Sequence, residues 1–128
     1  MNMQEIDIYV AKPDGLYLYD ARAHALVLAV KEDLRAATGS QPFVKDAPIN
    51  LVFVADMRKM AKLSESDAIF YAATDTGYIS QNVYLYCASA KLATVVRAWM
   101  DKSALAKAMK LRKDQKVVMA QTIGYPER

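Results

Sequence analysis

One cysteine and one histidine are all that 128 residues supply, beside four glycines, four prolines and no unbroken apolar run of the length a membrane helix needs. Cys87 has no partner for an internal disulfide, and with His24 it falls short of the four ligands of a structural zinc site. So few glycines leave no Walker loop and no G-x-G-x-x-G turn, which excludes the ATP and dinucleotide folds built on those phosphate cradles. The amino-terminal residues Asn2, Gln4, Glu5 and Asp7 do not form a basic segment ahead of an apolar one. Neither a membrane span nor a signal peptide is expected, and the cytoplasm is the default compartment.

What the chain has in quantity is apolar surface: 54% of its residues are hydrophobic, enough for one core, and one domain over 1–128 is expected. Its net charge of +3 conceals an asymmetry. Residues 1–57 hold 5 Lys and Arg against 8 Asp and Glu (−3), and residues 58–128 hold 12 against 6 (+6). The densest basic run, Lys107, Lys110, Arg112, Lys113 and Lys116, reads as a solvated face, because no aromatic side chain interleaves it to stack bases. No nucleic-acid partner is expected.

Local patterns place the elements. Ile6–Val10 and Leu16–Tyr19 flank Pro13-Asp14-Gly15 and read as a hairpin, with Leu26–Val30 a further extended piece. Asp33–Thr38 reads as a short helix that Gly39 closes in the left-handed conformation. Asp46-Ala47-Pro48 interrupts regular structure, and 49–55 is so continuously apolar that it suits a central strand covered on both faces. From Ser66 to Lys91 apolar and small residues recur at spacings of three and four, giving one long helix capped by Ser64 or Ser66. Few of its positions are polar on any side, so burial all round is expected. Ala73, Gly77 and Ser80 make a patch where a second backbone, in so small a domain that of another subunit, can come close. Thr94–Ala98 reads as a strand, Asp101–Met109 as a capped helix and Lys116–Ile123 as a last strand before Gly124-Tyr125-Pro126.

Self-sufficient chemistry is missing from this inventory. His24 lies between alanines with no cysteine or carboxylate pair near it in sequence and reads as a surface or structural residue. Cys87 falls on the buried stripe of the long helix, where a thiol acts as a small apolar group. Asp14, Asp20, Asp46, Asp56 and Asp101 all adjoin turns or helix starts, where capping accounts for them. Any reaction therefore needs a cofactor or a partner chain.

Several segments, in order, resemble the FMN-dependent nitroreductase family, and within it the branch of thiazole- and oxazole-forming dehydrogenases. They are Gly15-Leu16-Tyr17-Leu18-Tyr19-Asp20, 33–41, Asp46-Ala47-Pro48, Asp75-Thr76-Gly77 with Gln81-Asn82 on the long helix, Leu92-Ala93-Thr94 and Gly124-Tyr125-Pro126. The resemblance implies an α+β fold, nitroreductase-like, with a mixed, mainly antiparallel sheet around a long central helix. It also implies a homodimer formed through helix 66–91, FMN at the subunit interface, and hydride passed from NAD(P)H to a small-molecule acceptor. By the same resemblance Asn2 and Gln4 touch the neighbouring subunit's flavin, Gln41 faces the ring system, and the backbone of Val96, Arg97 and Ala98 passes the ring edge, where an N–H donates to N5. Two features depart from the family pattern. The Arg-Arg-Ser helix that clamps the FMN phosphate would precede Asn2, so an amino-terminally shortened form is expected. The Gly-Leu-Gly turn after the long helix is here Lys91-Leu92-Ala93, with Lys91 a solvated terminal residue or a substitute charge for the phosphate. The alternative is a catalytically silent dimer that binds flavin weakly or not at all.

Overall fold

The computed structural model describes residues 2–127. Six strands form one sheet, all neighbours antiparallel, in the order β3-β2-β1-β4-β6-β5: β1 Ile6–Lys12, β2 Gly15–Asp20, β3 Ala25–Val30, β4 Ile49–Asp56, β5 Ala93–Arg97 and β6 Gln115–Gly124. Helix α1 is Glu65–Ala90 and helix α2 is Lys102–Ala108. Three single 3-10 turns, Arg35–Thr38, Pro42–Lys45 and Met57–Met60, complete the connections.

Strand β4 lies between β1 and β6, and seven of its eight residues are buried, as an apolar run without alternation requires. Successive side chains leave a strand on opposite faces, so β1 and β4 supply two cores. Tyr9, Ala11, Val52 and Val54 pack with Leu105 of α2 and Met109 just after it on one face. Val10, Leu51 and Phe53 meet Ile79 and Val83 of α1 on the other, continued by Ala55, Ala68 and Ala72. A bulge opposite Phe53/Val54 in the β4–β6 ladder shifts the register by one residue.

The ends of α1 follow their local chemistry. Ser64 Oγ accepts from Asp67 N at 3.1 Å, Glu65 and Asp67 sit at the positive end of the helix dipole, and Lys91 closes the helix in the left-handed conformation at φ 60°. Two expectations need correction. Gly39 is extended, not left-handed; it is small because a Cβ there would collide with the Arg97 guanidinium. Helix α1 is not buried all round within one chain, because the sheet covers only one side of it. Its outer side leaves Phe70, Tyr78, Leu85 and Tyr86 more than half exposed, and the space around Gly77 is open. No helix among the described residues is long and apolar enough to cross a membrane.

Candidate functional site

The six residues singled out above fall into two groups at different places. Asn2 and Gln4 lie on the segment that leads into β1, and both line a cleft of about 770 Å3 bounded by that segment, the end of β2 and the middle of α1. Gln4 is a non-glycine residue at φ 49°, a conformation held only when its surroundings fix it. Part of that fixing comes from Lys59, whose Nζ donates to the Gln4 carbonyl at 3.1 Å. Lys59 is itself placed by the 57–60 turn, which Asp56 caps by accepting from Arg58 N at 3.2 Å. Burial opposes charge on Asp56. The Arg58 hydrogen bonds and the nearby Arg58 and Arg112 charges outweigh it and hold the carboxyl below the usual range.

Gln41, Val96, Arg97 and Ala98 gather at the β5 edge. Ser40 N donates to Trp99 O at 3.3 Å, which draws the segment carrying Gln41 against the exit of β5. Gln41 Oε1 is buried and accepts no hydrogen bond from any described residue. The Val96 N–H points away from β6 and donates to Tyr84 Oη at 2.8 Å, so it is occupied within the chain. Arg97 points inward and is 4% exposed. Its Nε donates to Thr122 Oγ1 at 2.7 Å, Nη1 to Thr38 O at 2.6 Å, and Nη2 to Thr38 Oγ1 at 3.3 Å and Asn50 Oδ1 at 3.0 Å. Every acceptor is neutral, and burial pulls the guanidinium pKa down. A second cleft, about 780 Å3, opens beside this edge between Phe43, Pro48, Thr94, Val95 and Tyr125.

One chain does not bring the two groups together. From β1 to β5 there are three strand spacings, roughly 14 Å sideways. The other candidates take structural places. Tyr19 Oη and His24 Nδ1 are hydrogen-bonded at 2.8 Å on the surface. Cys87 is 1% exposed, and burial raises its thiol pKa. Of the basic run, Arg112 is paired with Asp56 and Asp114. Among the described residues no three His, Cys, Asp or Glu are grouped to hold a metal.

Two features escaped the sequence. One is the Thr38–Asn50–Thr122–Arg97 cluster, drawn from four separate segments with no common spacing. The other is Glu5, 3% exposed, with Oε1 lacking a hydrogen-bond partner among the described residues and its carboxyl beside that of Asp75. Only the occurrence of an acid ahead of the strongly apolar β1 hinted at it.

An antiparallel sheet with one long helix on one face and a short helix on the other is an α+β architecture that many proteins could share; the comparisons narrow it. The chain belongs to the nitroreductase family, whose model matches residues 1–125. A provisionally named nitroreductase of Methanocaldococcus jannaschii is 31% identical over 97 residues, covering 72% of this chain and 49% of that protein. The crystal structure of a provisionally named nitroreductase from Ralstonia eutropha JMP134 superposes with a TM-score of 0.90 at 44% identity, over 96% of this chain and 59% of the other. A Desulfovibrio desulfuricans structure of the same description, determined in complex with FMN, gives a TM-score of 0.68 at 21% identity, over 99% of this chain and 64% of that one, a likeness of fold. The chain thus spans about half to three-fifths of the length of the first two relatives.

Proposed function

We propose that this chain is the core of an FMN-dependent oxidoreductase of nitroreductase type, which pairs through α1 and takes hydride from NAD(P)H for delivery to a small-molecule acceptor. One observation carries the proposal: amide side chains suited to a flavin edge lie in two places that one chain keeps apart, and between them runs a helix with a bare apolar face. Two α1 helices crossing antiparallel near Gly77 would set the Asn2–Gln4 cleft of one subunit against the Gln41 edge of its partner. The exposed Phe70, Tyr78 and Leu85 would then be covered.

The residues present fit a flavin at its ring system. Gln41 Oε1, buried and unpartnered, suits a ring N–H, and the amides of Asn2 and Gln4 can donate to ring carbonyls. FMN, when bound, supplies the two-electron hydride chemistry that no side chain here provides. The chain's task is to hold and shield the ring. Because Val96 N–H is taken by Tyr84, the Ala98 N–H, just past the end of β5, is the candidate donor for N5. The thiazole- and oxazole-forming branch remains part of the proposal through the motifs that resemble it.

Incubating purified protein with FMN and desalting it tests the assignment. The expected result is co-eluting yellow protein with quenched flavin fluorescence at close to one FMN per chain. Complete loss of flavin on the column overturns it in favour of the silent dimer.

A further inference from the structure

Glu5 and Asp75 stand out once the rest of the molecule has been accounted for. Glu5 closes the segment that carries Asn2 and Gln4, and its carbonyl accepts from Asp56 N at 2.7 Å, which fixes the backbone beside β4. Its side chain turns into the protein. There it adjoins a cavity of about 220 Å3 lined by Met3, Glu5, Met60, Tyr71 and Asp75. Met3, Glu5 and Asp75 also line the larger cleft with Asn2 and Gln4. The two carboxyls therefore stand between a smaller, narrower chamber, with room for a few waters, and the open cleft.

A carboxylate this deeply buried is expected to satisfy both oxygens, yet Oε1 of Glu5 has no hydrogen-bond partner among the described residues. Two ionised carboxylates side by side out of water repel strongly, whereas one proton between them turns repulsion into a hydrogen bond. Burial is the largest influence raising the Glu5 pKa, followed by the hydrogen bond and charge of Asp75; Lys59 acts in the opposite sense. Asp7, half-buried two residues on in β1, also lines the cleft and is raised chiefly by its own burial. Tyr71 from α1 is the other titratable group facing the chamber.

We propose that Glu5 and Asp75 hold one shared proton and deliver it to the acceptor in the cleft. This deepens the flavin reading and rests on it for the proton's destination. Reduction of a polarised double bond, such as a quinone carbonyl or a nitro N=O group, needs a hydride and a proton. The hydride brings its electron pair to one end of the bond, the π pair collects at the other end, and the proton leaves the pair to cap it. The carboxyls are then briefly both anionic, a state that Lys59 eases, until a solvent proton restores the pair. Asp75 is partly exposed and presents the proton to the cleft; Glu5, fully buried, keeps its affinity high.

Two measurements test this. In protein without flavin, 13C-carboxyl NMR should show Glu5 titrating above the ordinary carboxylate range, and Asp75→Asn should bring it down. A Glu5 that titrates as a free side chain, or that ignores Asp75→Asn, overturns the shared proton whatever becomes of the flavin. In FMN-loaded, dithionite-reduced protein mixed rapidly with a quinone, reoxidation should slow as pH rises through the Glu5 titration. The isosteric Glu5→Gln should be slower by about a hundredfold and flat with pH. A wild-type rate with the wild-type pH profile in Glu5→Gln overturns the role in proton delivery. Failure of the protein to retain FMN overturns the flavin reading and the proton's destination, and the NMR titration still decides the pair.

Discussion

At the scale of single residues, the interior is organised around a cation that has no counter-ion among the described residues. Arg97 is surrounded by the neutral oxygens of Thr38, Asn50 and Thr122, and these in turn belong to the 35–38 turn, β4 and β6. Asn50 is the hub, fully buried: Oδ1 accepts from Arg97 Nη2 and from Thr122 Oγ1 at 2.6 Å, while Nδ2 donates to Val44 O at 2.8 Å. Replacing it by Asn50→Leu keeps the branched heavy-atom shape and strands a charged donor, a hydroxyl and a carbonyl. The expected cost is about 3–5 kcal/mol, read as a lower urea midpoint at unchanged slope. Asn50→Asp retains the acceptor and adds the missing negative charge, so it should cost much less; equal losses for the two would mean that shape, not polarity, holds the cluster. None of this was legible beforehand. A valine-rich strand with one arginine looks like an edge strand with a solvated charge, and only the pairing of β5 with β6 turns that arginine inward.

Elements were far more legible than their junctions. The Pro13-Asp14 turn, the nearly continuous apolar run of β4 and the three-four spacing of α1 are local signals, and each produced its element within a residue or two. The 3-10 turns at 35–38 and 42–45 are set instead by long-range partners, Arg97 on Thr38 and Asn50 on Val44, which no short window contains. The outer face of α1 sits between these cases: its apolarity is plain in the sequence, while no element among the described residues covers it. Gly77 makes that distinction measurable. No atom lies within reach of a Cβ added there, and a mid-helix glycine costs about 1 kcal/mol relative to alanine. Within an isolated chain, Gly77→Leu should therefore raise the thermal midpoint. In a close helix pair the same side chain fills the crossing point, so light scattering at micromolar concentration should show the wild type as a dimer and the variant shifted towards monomer. A dimer indifferent to Gly77→Leu would place the contact elsewhere on the surface.

For the molecule as a whole, the separation of Asn2 and Gln4 from Gln41 has a consequence that depends on symmetry. If each flavin site takes its first two amides from one subunit and Gln41 from the other, damage to either group in a homodimer spoils both sites. A mixture of two differently damaged chains behaves otherwise. In a heterodimer of Asn2→Ala/Gln4→Ala with Gln41→Ala, one site collects all the substitutions and the other collects none. Refolding the two variants together at equal amounts makes about half of the dimers mixed, each with one restored site, so about a quarter of the wild-type FMN capacity should return. Each variant alone should retain little flavin. Were all three groups to serve one flavin within one chain, mixing would restore nothing, because every site would keep its own lesion. The strand order already disfavours that arrangement: β4 and β6 stand between β1, which the Asn2–Gln4 segment enters, and β5, beside which Gln41 lies, a sideways separation of roughly 14 Å.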